Sequence, residues 1–184
     1  MIQLIEPTID LEAAYRNLLE EWQATGEPLV PWFLDINCID FQEFIKKLQD
    51  MHSGVNLPEG FVPDSAYWLV NEHDKILGAV SIRHHLNDKL LLLGGHIGFG
   101  IRPSERQKGY ASILLQLALE KCKILSLNRV LLTCSKNNIA SAKVIVKNGG
   151  KLENEYVTPE RITQRYWITL NTDQPKNKVN RSPH

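Results

Sequence analysis

Apolar positions along the chain recur with a period that switches between two and about 3.6, and each switch marks an element boundary. Ile2-Gln3-Leu4-Ile5 alternates as a short strand, and Pro7-Thr8-Ile9-Asp10 reads as a turn ending in a helix cap. From Leu11 to Trp22 the residues Leu11, Ala14, Tyr15, Leu18 and Trp22 recur at spacings of three and four, which predicts an amphipathic helix. Thr25-Gly26-Glu27-Pro28 ends it. Leu29 to Asn37 is an apolar, aromatic connection. A second helix is predicted from Asp40, with Phe41, Phe44, Ile45 and Leu48 inward and Ser53-Gly54 as its stop. After a Pro- and Gly-containing loop, Ala66 to Val70 and Ile76 to Arg83 flank a polar stretch of the length a hairpin needs.

Leu91-Leu92-Leu93 leads into Gly94, and His96 to Ile101 alternates apolar residues with glycine before Pro103-Ser104 breaks the run. From Ala111 the period becomes helical, with Ala111, Leu114, Leu115, Ala118, Cys122 and Leu125 on one stripe. Arg129 to Cys134 is a short apolar strand without alternation, as expected of a buried parallel strand. Strand, helical crossover and strand predict a right-handed βαβ unit, with a ligand site at the carboxyl end of its first strand. Asn138-x-x-Ser141 opens a further helix that Lys147-Asn148-Gly149-Gly150 ends, and Leu152 to Val157 and Gln164 to Leu170 read as closing antiparallel strands. Residues 1–170 are therefore expected to form a single domain. Asn171 to His184, apolar only at Val179, is expected to be a disordered tail.

The junction between His96 and Ala111 is suited to holding an anion. First-turn amides of a helix lack intrahelical partners and the helix dipole adds partial positive charge there. Two well-known phosphate loops are excluded: G-x-G-x-x-G does not open the helix, and Lys108 precedes Gly109 where a P-loop needs Gly-Lys-Ser/Thr. Instead, Ile101-x-Pro103-x-x-Arg106-x-x-Gly109-x-Ala111, followed by a buried strand, Asn138-x-x-Ser141 and a K-x-G-G helix end, resembles the acyl-CoA signature of the GNAT superfamily of N-acyltransferases. The likeness covers roughly residues 66 to 170.

That resemblance implies an α/β (α+β) fold with a mixed, mostly antiparallel central sheet, a central βαβ unit and flanking helices. It implies that Arg106, Gln107, Lys108, Gly109, Tyr110, Ala111 and Ser112 hold the CoA pyrophosphate. Phe99, Gly100 and Ile101 would pair with the pantetheine arm, and Asn138 and Ser141 would sit beside it or cap the last helix. A backbone amide of the cofactor strand would act as an oxyanion hole. By the same resemblance the first two helices and their connection shape the acceptor side, which makes Trp32, Phe33 and Asp35 candidate substrate-wall residues; plain core packing is the alternative.

An alkyl amine has pKa ~10.4, so its proton must be removed before attack, and His96 on the cofactor strand is the candidate base, with a buried structural histidine as its alternative. The family often carries a Tyr general acid where this chain has Ile145, and an aromatic residue where it has Gly150. Tyr110, Cys134, Tyr166 and water are the remaining candidates for protonating the thiolate. The function expected is transfer of an acetyl group from acetyl-CoA to a primary amine of a small molecule or peptide, by direct attack in a ternary complex. A catalytically silent acyl-CoA-binding or protein-interaction module on the same scaffold is the alternative.

Composition changes this picture little. Of 184 residues, 43% are hydrophobic and 23% charged, and 21 cations balance 21 anions, so charge gives no reason to expect nucleic acid or a membrane surface. Cys38, Cys122 and Cys134 are widely spaced, which suggests neither disulfides nor a zinc site and fits a reducing cytoplasm. His84, His85 and His96 do not complete a ligand set, since neighbours on a strand point to opposite faces, so no metal is expected. A homodimer is left open.

Overall fold

The computed structural model describes residues 1–37 and 40–170; Cys38 and the expected tail from Asn171 to His184 lie outside them. Strands β1 (Ile2–Ile5), β2 (Asp64–Asn71), β3 (Ile76–Arg83) and β4 (Ile97–Ile101) form one antiparallel sheet in the order β1-β2-β3-β4. A second sheet holds β5 (Arg129–Ser135), β6 (Lys151–Val157) and β7 (Ile162–Thr169) in the order β5-β7-β6. Helices α1 (Glu12–Gln23) and α2 (Phe41–Ser53) cover one face of the first sheet. Helix α3 (Tyr110–Ile124) covers the other, and α4 (Ile139–Lys147) packs beside α3.

The two faces carry separate cores. Tyr15, Leu18 and Trp22 of α1 and Phe41, Phe44 and Leu48 of α2 pack on Ala66, Trp68 and Val70, with Tyr15 stacked between Phe44 and Trp68 at 4.8 and 5.2 Å. Leu114, Leu115, Ala118 and Cys122 of α3 pack on Tyr67, Leu69, Val80 and Ile82 from the other side. Residues alternate across β2, so both of its faces are buried. Hence Asp64 to Val70 is buried throughout, although the strand is antiparallel.

The predicted elements form with local reasons on display. Asp40 caps α2 by accepting the Gln42 and Glu43 amides, and Gly54 ends it in the left-handed conformation at φ +72°. Two expectations change. Leu90–Gly94 is a π-helical turn rather than a run into the strand: Asn87 starts it by accepting the Leu90 amide at 3.0 Å, and distant side chains satisfy its end carbonyls. Arg165 Nε donates to Leu91 O at 3.1 Å, Thr133 Oγ1 to Leu93 O at 3.0 Å, and Arg83 Nη1 to Gly95 O at 3.1 Å. The crossover through α3 is present, but β4 and β5 fall in separate sheets instead of forming the expected ladder.

Buried Arg102 fixes α1 to the end of β4. Its Nε donates to Glu21 Oε2 at 2.5 Å and its Nη2 to Asn17 Oδ1, while Glu21 Oε1 accepts the Ser104 amide at 2.8 Å. Removing one member of such a pair strands the other's charge. Arg102→Leu is expected to lower stability by about 3 kcal/mol, and adding Glu21→Gln to recover part of that loss, as read from urea denaturation midpoints at constant m-value.

Candidate active site

The strands β4 and β5 touch at one point and then part. The His96 amide donates to Leu131 O at 2.7 Å, and the Leu131 amide donates to His96 Nδ1 at 2.9 Å. Gly95, at φ +68°, makes this approach sterically allowed, because a Cβ there would lie 2.5 Å from Leu131 O. Beyond this joint β4 keeps β3 on one edge only. Arg102 N–H donates to Leu77 O, and the two-residue alternation of the ladder then turns the Phe99 N–H and C=O to the edge away from β3.

That edge opens into a groove of about 810 Å³, within the usual range for ligand sites. Every residue expected at the cofactor site except Lys108 lines it: Phe99, Gly100 and Ile101 of β4, Arg106, Gln107 and Gly109 of the loop, Tyr110, Ala111 and Ser112 of α3, and Asn138 and Ser141 at the start of α4. Lys108 is exposed and pairs with Glu105 at 2.9 Å. Among the described residues no side chain caps α3, and its N-cap Gly109 takes φ +87°, so the start of α3 borders the groove without a capping side chain to accept its first amides. Asn138 does cap α4, accepting the Ser141 amide at 3.0 Å. Lys143 and Lys147 of α4 add positive charge to the groove lining.

Arg106 is a brace here rather than a free cation. It pairs twice with Glu27, at 2.7 and 3.0 Å, donates through Nε to Ile101 O, and lies 5.4 Å over the Trp22 ring. Gly100 serves the same closure. A Cβ there would meet Val30 O at 2.5 Å and Trp22 Cη2 at 2.6 Å. Trp22, Glu27 and Val30 thus line the groove from elements far away in sequence, with no motif to signal them.

The acceptor-side expectations separate. Trp32 lines a smaller cavity of about 180 Å³, whereas Phe33 is wholly buried in the core and Asp35 is exposed. Phe33 therefore packs instead of walling a substrate. Asp64 and Arg83, which sequence periodicity gave no reason to single out, lie in the smaller cavity with Trp32, Phe61 and Lys89. Burial pushes the Asp64 carboxyl up to about 6, against the Arg83 charge and the Trp32 Nε1 hydrogen bond at 3.0 Å.

His96 sits at the joint, 6% exposed, and does not line the groove. Its Nδ1 accepts a backbone amide, which places the proton of the neutral ring on Nε2. Burial above all, with the Arg83, Arg129 and His85 charges, pushes its pKa down to about 4. Ile145 is buried where the family often has Tyr, and a Cβ at residue 150 would lie 2.4 Å from Ile145 Cγ2 and 2.8 Å from Ile145 O, so side chain and backbone of residue 145 both leave room only for Gly150. Of Tyr110, Cys134 and Tyr166, Tyr110 lines the groove; the Tyr166 hydroxyl donates to Gln164 Oε1 at 2.7 Å.

Residues 2–151 match the family model described as an acetyltransferase (GNAT) domain. The chain belongs to the GNAT acetyltransferase family. Membership makes it an acyl-CoA-dependent N-acetyltransferase, in a family that uses acetyl-CoA as co-substrate. Its relatives include YnaD, an uncharacterized N-acetyltransferase of Bacillus subtilis (strain 168), 26% identical over 136 residues that span 73% of this chain and 75% of YnaD. Among solved structures, the Salmonella typhimurium acetyl transferase that modifies the N-terminal serine of ribosomal protein L7/L12 superposes with a TM-score of 0.65 at 15% identity, covering 92% of this chain and 95% of its own. A dodecameric spermidine N-acetyltransferase from Vibrio cholerae gives 0.62 at 15% identity, covering 94% and 98%. These structural likenesses establish the fold. Among the described residues no helix is long and apolar enough to cross a membrane, and no three metal-binding side chains cluster.

The joint has a pH signature. A histidine with its folded pKa depressed stabilises the fold above its unfolded value of about 6.5, and that contribution is lost as pH falls towards 4. Asp64, with its folded pKa raised, has the opposite slope in part of this window. The stability difference between wild type and His96→Gln should therefore shrink by up to about 3 kcal/mol from pH 7 to pH 4, measured by denaturation at each pH.

Proposed function

We propose that the chain transfers an acetyl group from acetyl-CoA to a primary amine by direct attack in a ternary complex. The groove carries this reading. It joins the uncapped start of α3 to the unpaired edge of β4, so one extended ligand can place anionic oxygens on the amides of Gly109 to Ala111 and run its arm along Phe99. Residues fit acetyl-CoA in kind: donors and lysines at one end, apolar Ile101 and Val144 and the free strand edge beyond.

At the strand edge the neutral amine nitrogen attacks the thioester carbonyl carbon and the oxyanion is met by the Phe99 N–H; the nitrogen gives up its extra proton to solvent as the C–S bond breaks, and the CoA thiolate leaves and takes up a proton. A ring that binds its proton only below about pH 4 is a poor base for an amine of pKa ~10.4, so His96 acts by positioning β4 against β5. The amine loses its proton to solvent as it enters. The smaller cavity beside Trp32 supports direct attack, because it gives the acceptor a place of its own while the groove is filled.

Acetyl-CoA should bind saturably in calorimetry. Gly109→Pro, which removes an amide and cannot adopt the positive φ, should weaken binding by about tenfold or more. An amine panel should then elicit free thiol from the wild type. Saturable binding with no thiol release for any amine would favour the silent acyl-CoA-binding module over the enzyme.

A further inference from the structure

We propose that the cavity between Trp32 and Lys89 receives a carboxylate of the acceptor, so that the amine acetylated belongs to a small amino acid-type molecule rather than to a polyamine. This inference rests on the acetyl-transfer reading and names the substrate class for it. Buried Asp64 and Val62 lie among the lining residues, exposed Gly60, Phe61 and Lys89 open it to solvent, and Trp32 packs edge-on against Phe61 at 5.5 Å. Its ionisable lining is two cations, Arg83 and Lys89, and one carboxylate, Asp64. The balance is positive.

The Asp64 carboxylate is already occupied. Its Oδ2 accepts Trp32 Nε1 at 3.0 Å and stands 3.9 Å from Arg83 Nε, too far for a direct hydrogen bond. Arg83 Nη1 donates to Gly94 and Gly95 carbonyls at 3.4 and 3.1 Å, which orients the guanidinium, and its Nη2 has no acceptor among the described residues. A planar guanidinium held from one side with donors to spare fits a carboxylate. The volume of about 180 Å³ suits a small molecule.

The cavity also lies at the right strand. The Cβ position of Gly98 on β4 is 4.0 Å from Arg83 Nη1 and 3.7 Å from Pro31 Cβ. A carboxylate on Arg83 would therefore sit beside β4 at Gly98, the residue before Phe99. Asn87 holds the mouth together: its Nδ2 donates to Gly60 O at 3.0 Å while its Oδ1 accepts the Leu90 amide.

The test compares matched acceptors, phenylalanine against phenethylamine and leucine against isoamylamine, with spermidine alongside, after acetyl-CoA binding has been measured calorimetrically for each protein. Wild type should show kcat/KM about tenfold or more higher for the carboxylate member of each pair. Arg83→Gln should lower kcat/KM for that member about tenfold more than for the decarboxylated member, and Arg83→Lys, which keeps the charge, should recover part of that difference. Lys89→Gln, at an exposed position that folding does not need, should shift kcat/KM in the same direction by a smaller factor. Equal kcat/KM within the pairs, a preference for spermidine, or an equal loss on both members in Arg83→Gln would overturn the inference while acetyl-CoA still binds. Absence of acetyl-CoA binding by wild type would instead overturn the reading beneath it, and the inference with it.

Discussion

A single contact, the His96–Leu131 joint, sets the geometry of everything that follows. Two hydrogen bonds, one from backbone to backbone and one from backbone to ring, hold β4 against β5 at one end, and Gly95 removes the side chain that would keep them apart. Because the second bond ends on an imidazole and not on a carbonyl, the ladder cannot propagate from it. The strands separate, and the Phe99 edge is left with a donor and an acceptor that no described residue satisfies. Such an edge invites an extended ligand to complete it.

The remaining contacts keep that opening at a fixed width. Arg102 ties α1 to the end of β4 through Glu21 and Asn17, and Arg106 ties the anion loop to Glu27 and Trp22. Gly100 lets Val30 and Trp22 lie directly on the strand. The segment from Val30 to Trp32 consequently separates two spaces, the long groove on one side and the small charged cavity on the other. That segment, held in place by these contacts, divides the groove proposed for the cofactor from the cavity proposed for the acceptor.

What was legible in the sequence was local. The helical stripes of α1, α2 and α3, the β2–β3 hairpin and the caps at Asp40 and Asn138 follow from periodicity and cap chemistry, which act within a few residues. One side of the groove was legible because its motif, Ile101 to Ala111, is contiguous, with Asn138-x-x-Ser141 following it. Features set by distant side chains were not. The π turn at Leu90–Gly94 is braced by Arg83, Thr133 and Arg165, the contact of β4 with β5 ends on one imidazole, and Glu27 reaches Arg106 from the loop after α1. That Gly150 packs directly on Ile145 was likewise not visible in the sequence.

Backbone amide exchange with and without acetyl-CoA tests the central claim most directly, since the claim concerns particular N–H groups. The account predicts that acetyl-CoA slows exchange at Phe99 and at Gly109 to Ala111, while His96 and Leu131, already bonded to each other, change little. Protection spread elsewhere, or none at Phe99 and the start of α3 under saturating acetyl-CoA, would contradict it.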